Sequence, residues 1–252
     1  MMLQINASTE RPCSLREHPV DTSSKLLVLA PHPDDFDAIG ATLKFLFSNG
    51  NPLEVAVAYT GSGVEDVYRP GLTLETMAQL REHEQRNSLR FFGLPEDCLT
   101  FLRLENDLTD QLIESEYNLR LLESIVSQKT PDILFLPHGN DTNSAHRAMY
   151  AMVRQIALRT HRPLALMLIR DPKNISMRTD FYFPFGEEEA AWKGELLRFH
   201  DTQHQRNLNS RGYGFDKRIL DANRNYAKEL ALEKPYAEVF ELETYNSPDK
   251  HN

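Results

Sequence analysis

Two short stretches hold the residue types that metal-assisted hydrolysis needs. "PHPDD" at 31–35 sets His32 near Asp34 and Asp35, and "PHGNDTNSAH" at 137–146 carries His138, Asp141, Asn143 and His146. A divalent metal of the zinc type takes imidazole and carboxylate ligands, and a catalytic site uses three protein ligands with one position left open. His32, one of the two aspartates and a histidine of the second stretch supply such a set. The remaining aspartate is then free to take a proton from a water that the metal has made acidic. The same residues have a plainer use, since Asp34 or Asp35 can serve as the N-cap of a following helix. Spacing alone leaves both readings open.

Each stretch follows an apolar run and leads into a helical pattern. "KLLVLA" (25–30) has no polar alternation, as in a strand buried on both faces. "FDAIGATLKFLFSNG" (36–50) then places Phe36, Ile39, Leu43, Leu46 and Phe47 at helical spacing and stops at Asn49-Gly50. "LEVAVAYT" (53–60) completes a strand–helix–strand unit, for which a right-handed crossover is expected. Further on, helices are predicted over roughly 74–92, 110–128, 144–160, 187–207 and 215–230, and strands over 99–104, 131–137, 163–169, 179–185 and 237–243. Alternation of this kind predicts one α/β domain, a Rossmann-like, doubly wound and mostly parallel sheet with helices on both faces. The expected domain covers 25–245, between an N-terminal arm (1–24) with some edge structure and a short tail (246–252). In such sheets ligands bind beyond the carboxyl ends of strands, where both candidate stretches fall.

Composition excludes several classes. The net charge of −9 opposes a phosphate backbone, so no nucleic-acid partner is expected. Cys13 and Cys98 are too few and too far apart for a disulfide framework or a thiolate metal site. The polar first 24 residues lack the apolar core of a signal peptide, and no run approaches the ~20 apolar residues of a membrane span. A cytoplasmic location is the expectation. The glycines at 61 and 63 are not followed by Lys-Ser/Thr, which rejects a nucleotide P-loop. "GVEDVYRPG" (63–71) is long for a compact connection. It is either a lid touching substrate through Glu65, Asp66 or Tyr68, or a plain surface loop. Trp192 and the phenylalanines at 181, 183 and 185 are expected in the core.

The ordered motifs resemble those of the LmbE-like, or PIG-L-type, N-deacetylases. "APHPDDFDAIG" is similar to that family's first motif, and "PDILFLPHGNDTNSAHR" to its second. "LREHEQRNSLRFFGL" (80–94) resembles its Arg-x-x-Glu helix, "KGELLRFHDTQ" (193–203) a late Lys…Leu…His-x-Ser-Gln helix with Thr202 for Ser, and "YAEVFEL" (236–242) a closing strand. The resemblance implies a Rossmann-like fold and a zinc-dependent hydrolase that removes acetyl or similar acyl groups from the amine of N-acetylglucosamine-type molecules, so the implied partner is a small amino-sugar substrate. By position, His32, Asp35 and His146 match the metal ligands, Asp34 the general base, and Arg81 an arginine that contacts substrate. Zn²⁺ is the implied metal, although Fe²⁺ or another divalent ion also suits two histidines and a carboxylate. Self-association is compatible with such a fold, but no stripe fixes a number of subunits.

Departures from the pattern carry consequences. Asn143-Ser144-Ala145-His146 stands where the family often has His-Pro-Asp-His, and Phe36 replaces a usual Glu. An asparagine amide can donate to a developing oxyanion but cannot deliver a proton to the expelled amine. Asp34 must return the proton it collects, with His138 in support, or His138 or His200 must supply one. Asp141 and His200 join Arg81 as candidate substrate-side residues. Asp141 can instead orient a ligand histidine or hold its own turn, His200 can be a packed helix histidine, and Arg81 with Glu84 can be an exposed pair one turn apart. The replacements at 143 and 145 keep a second class open: a metal-bearing but non-catalytic sugar-binding or scaffold protein.

Overall fold

The computed structural model describes residues 11–59, 64, 70–107 and 111–246. The lid candidates Glu65, Asp66 and Tyr68, the glycines at 61 and 63, and residues 1–10 and 247–252 lie outside the described residues. Eight strands form one sheet: β1 (Cys13–Ser14), β2 (Leu26–Ala30), β3 (Leu53–Val57), β4 (Leu99–Phe101), β5 (Ile133–Pro137), β6 (Leu164–Ile169), β7 (Phe181–Phe185) and β8 (Tyr236–Tyr245). Their order is β1-β7-β8-β6-β5-β2-β3-β4. All pairings are parallel except those of β8 with β6 and β7. The mostly parallel α/β fold expected from the alternating pattern is therefore present, with one long antiparallel strand closing it. In the segment expected as an arm, Cys13 and Ser14 pair with Phe181 and Tyr182, and Leu15 and Val20 are buried.

The uninterrupted apolar strands are explained by what covers them. On β2, Leu26, Val28 and Ala30 join one hydrophobic cluster, and Leu27 and Leu29 join another. Successive strand side chains point to opposite faces, so two clusters mean two covered faces. The first face packs against α1 (Gly40–Ser48), α2 (Leu74–Phe92) and α5 (Glu187–Arg198), through residues such as Leu43, Leu89 and Leu196. The second packs against α3 (Glu116–Lys129) and α4 (Ser144–Arg159), through Leu122, Ile125, Met149 and Met152. Phe181, Phe183 and Phe185 are fully buried and Trp192 packs against the first cluster, as expected.

Chain order places the site. From β2 the chain winds outward through β3 to β4, then returns to lay β5 on the other side of β2, with Leu26 opposite Ile133 and Val28 opposite Phe135. The direction of winding switches between β2 and β5, which opens a crevice at their carboxyl ends. Both candidate loops leave from those ends.

Several boundaries differ from the periodicity. The expected helix at 36–50 begins as a 3₁₀ turn, Asp37–Ile39, before α1. Helix α3 starts at 116 rather than 110, because Ser115 caps it by accepting from Asn118 N at 3.1 Å and the Asn118 side chain ties down the preceding loop at Glu105 and Ile113. The single helix expected over 187–207 is two, α5 and then α6 (Asp201–Arg211), followed by α7 (Phe215–Glu229). No proline or glycine marks the break at Phe199-His200. His200 leaves helical geometry as the N-terminal cap residue of α6, and its side chain bonds Asp37.

Candidate metal centre and its cavity

The first loop is built around Asp35. Its Oδ2 accepts from the His32 backbone N–H at 2.8 Å and lies 3.2 Å from His32 Nδ1. Neither aspartate caps the helix that follows. The cap positions are Phe36 for the 3₁₀ turn and Ile39 for α1, and no side chain bonds there. Asp34 has φ of 111°, a conformation that costs free energy in a residue with a β-carbon and persists only when neighbours enforce it. Helix α2 provides the enforcement. Arg81 Nη2 donates to Asp34 Oδ1 at 2.9 Å and to Pro33 O at 2.6 Å, and Gln85 Oε1 accepts from Asp34 N at 3.1 Å. Arg81 and Gln85 lie one helical turn apart, so a single face of α2 holds the loop. Arg81 and Glu84 are not an exposed pair: Glu84 turns to α6 and accepts from Thr202 N and Oγ1 at 2.8 and 2.7 Å.

The second loop is built around Asp141, which is 1% exposed. Oδ1 accepts from Asn143 N at 2.7 Å, and Oδ2 accepts from His146 Nδ1 at 2.9 Å. Asp141 thus does both things its neighbours invited, holding its own turn and orienting His146. It stands behind His146, and its two oxygens are taken up by these bonds and one from Asn174 Nδ2 at 3.2 Å, whereas the notion of a substrate contact came from sequence alone. Asn143 caps α4, with Oδ1 accepting from Ala145 N at 2.9 Å. That bond commits the oxygen and leaves Nδ2, a donor, for a ligand in the cavity that Asn143 lines.

With Nδ1 given to Asp141, His146 presents Nε2 as its remaining nitrogen. This atom is buried, makes no hydrogen bond, and lies 3.4 Å from Asp35 Oδ1. His32, Asp35 and His146 each offer a ligand atom, and these atoms lie within 4.8 Å of one another. Two imidazoles and a carboxylate crowded together, one of them orphaned and braced from behind, fit a divalent metal. Burial opposes charge on all three groups, yet the histidines hold the Asp35 carboxyl well below the usual carboxylate range, and Asp35 and Asp141 hold His146 up at about 9. His32 is pushed down, chiefly by burial.

His200 and His138 are each held by partners of their own. His200 is fully buried, its Nε2 2.6 Å from Asp37 Oδ2, which also accepts from Gln85 Nε2 at 3.0 Å. It supports the α2 clamp behind Asp34 rather than lining the cavity. His138 accepts from Asn140 N at 2.9 Å, lies 3.4 Å from Glu241 and stacks on Tyr150, and it too is absent from the cavity wall.

A cavity of about 680 Å³ opens beside His32, Asp34 and Asp35, within the range of small-molecule sites. Much of its wall escaped the sequence reading. Gln203, Arg206, Asn207, Ser210 and Arg211 of α6 line it, with Lys173 and Arg218 from other elements. The signal was their spacing, since these five positions form one helical face that is wholly polar.

The comparisons agree with this architecture. The N,N'-diacetylchitobiose deacetylase from Pyrococcus horikoshii has a TM-score of 0.72 at 16% identity, covering 88% of this chain and 84% of that one. The A40926 pseudoaglycone deacetylase has a TM-score of 0.65 at 17% identity, covering 90% and 100%. The 4-carboxy-2-hydroxymuconate hydratase from Pseudomonas putida has a TM-score of 0.64 at 15% identity, covering 87% and 95%. At these identities the likeness is one of fold. No curated protein matches the chain significantly. The family model described as PIG-L: GlcNAc-PI de-N-acetylase matches residues 27–157, just over half of the chain and the span that holds both loops and the α2 clamp. The chain belongs to the PIG-L family.

Proposed function

We propose that this protein is a metal-dependent hydrolase that removes an acetyl or similar acyl group from the amine of an N-acetylglucosamine-type sugar or conjugate. One observation carries the reading. A metal-fitting group, His32, Asp35 and His146, stands beside a second carboxylate, Asp34, that is not needed as a ligand and is held on the wall of a polar cavity. The family and the deacetylases that share the fold support it.

When bound, a divalent metal such as Zn²⁺ supplies Lewis-acid polarisation of the amide carbonyl and raises the acidity of water. Asp34 removes the proton from the attacking water, with Arg81 fixing the carboxylate's position. Asn143 Nδ2 donates to the carbonyl oxygen as charge develops on it. Asp34 then returns its proton to the departing amine as the C–N bond breaks. Asp34 stands on the cavity wall and holds the proton taken from water, so it can serve both steps. An acetate-release screen over N-acetyl sugars, with zinc, iron and cobalt in turn, tests the reading. No release with a metal bound would overturn it and leave a metal-bearing binding protein.

Two further outcomes are expected. Asp141→Asn, which loses the charged acceptor behind His146, lowers metal affinity by about 10–100-fold, read by competition with a chromophoric chelator. Affinity also rises with pH. The metal must displace the proton that His146 holds up to about 9, so affinity increases by about tenfold per pH unit from neutrality until that value is passed. In the metal-free protein the same proton stabilises the fold fully below 6.5, and this contribution is lost as pH rises through about 9.

A further inference from the structure

We infer that the cavity holds, beyond the acyl-cleaving centre, a subsite for an anionic group of the substrate, a phosphate or a carboxylate, formed by Lys173, Arg206 and Arg211 with Arg218 beside them. The inference deepens the deacetylase reading and rests on it for the position of the sugar.

The cavity wall is cationic in a chain whose net charge is −9. Its three carboxylates are largely engaged. Arg81 holds Asp34, the two histidines surround Asp35, and Asp171 accepts from the Lys173 backbone N–H at 2.8 Å. Arg218 comes no nearer than 3.9 Å to Asp171. Lys173, Arg206 and Arg211 make no direct ion pair among the described residues, although the Lys173 charge is felt by the Asp141 carboxylate, whereas arginines elsewhere are paired: Arg103 binds Glu82 at 2.8 Å, Arg170 binds Glu229 at 2.6 Å and Arg198 binds Asp216 at 2.8 Å. The dipole of α6 favours a cation in its last turn, which explains Arg211 alone. Lys173 comes from the loop after β6 and Arg206 from the middle of α6, so no local rule brings them together. Like charges gathered on one concave wall repel one another and focus a positive potential into it, a cost that an incoming anion removes.

A second observation points to a ligand at the same place. Asn207, 6% exposed and on the same face of α6, donates Nδ2 to Gln203 O at 2.8 Å, while its Oδ1 is buried without a partner. A buried acceptor left unpaired is costly. A sugar hydroxyl in the cavity would satisfy it, which puts the sugar against α6 and its substituent among the cations.

The test compares three substrates of the metal-loaded enzyme: methyl N-acetyl-α-glucosaminide, N-acetylglucosamine 1-phosphate, and an N-acetylglucosaminide carrying a carboxymethyl group at the anomeric oxygen. At least one anionic substrate should exceed the neutral one by about tenfold or more in kcat/KM, through KM, and which one does so separates phosphate from carboxylate. The advantage should fade in high salt and vanish in Lys173→Gln/Arg206→Gln/Arg211→Gln, read as the ratio of kcat/KM for the anionic substrate to that for the neutral one within the same variant. Calorimetry with glucose 1-phosphate and methyl α-glucoside, which have no acyl group to lose, reads the subsite without the reaction. Phosphate binding that the triple substitution abolishes, with no acetate released from any sugar, would keep the subsite and sink the deacetylase reading. Acetate release without preference for either anion would sink the subsite alone. A preference that persists in the triple variant and in high salt would also overturn it, because the anion would then be sitting elsewhere.

Discussion

Asp34→Asn is expected to lower acetate release by about 10²–10⁴-fold and to leave the metal in place. The ligand atoms belong to His32, Asp35 and His146, and Asp34 is held instead by Arg81 and Gln85. Asparagine is the informative substitution because it tolerates a φ of 111° about as well as aspartate and keeps an oxygen for Arg81. Alanine would add backbone strain to the loss of the base. Metal content measured by emission spectroscopy should match the parent protein. Loss of metal together with activity would show that the two aspartates have exchanged roles. The pH profile gives an independent reading. Burial raises the Asp34 carboxyl above 3.8, the Asp35 charge beside it adds to this, and Arg81 partly offsets it. A base must be ionised to act, so kcat/KM falls on the acid side as Asp34 takes up a proton. Arg81→Gln removes the offset and should move the acidic limb to higher pH.

Lys193→Met is expected to destabilise the fold by about 3–5 kcal/mol, which for a chain of this size lowers Tm by roughly 6–20 °C. Lys193 is fully buried on α5. Its Nζ donates to Glu238 Oε1 at 2.6 Å, Asn223 Oδ1 at 2.7 Å and Ala38 O at 2.7 Å. Burial lowers its pKa, and Glu238 counters this. Glu238 in turn accepts from the backbone N–H groups of Ala41 and Thr42, at 3.1 and 2.7 Å, at the start of α1. Removing the lysine leaves a buried carboxylate with amide donors alone and two acceptors with no donor. Lys193→Met/Glu238→Gln should recover part of the loss, since no uncompensated charge remains. Thermal and urea unfolding check both. Because Ala38 also lines the cavity, the single variant should bind metal less tightly. A melting temperature unchanged by Lys193→Met would mean that α1 is anchored by packing alone.

How much of this was legible in the chain follows from the range of the forces involved. Burial of β2 and β5 on both faces requires apolar residues at every position, so their strand character and the loops at their ends could be read directly. The ordered motifs carried the metal-fitting trio and the neighbouring Asp34 with them. Short-range pattern could not show that Ser115 restarts a helix or that His200 breaks one, since a bond to Asp37, 163 positions away, accompanies the break. Lys193 stood in the sequence as the first residue of a family-like motif, and only the fold sets Glu238 opposite it. His138, His200 and Asp141 had the right types for chemistry at the cavity wall, and only packing shows what each one bonds: Asn140 N for His138, Asp37 for His200, and Asn143 N with His146 for Asp141. The amino-acid sequence by itself determined the alternation of strands and helices and the two loops, because these follow from local periodicity, while its ordered motifs, by resemblance to the family's, named the residues that could hold a metal. Tertiary structure alone decided which face of α6 meets the cavity and that Lys173, Arg206, Arg211 and Arg218 share one wall, because charges from separate elements acquire a common field only when the fold brings them together.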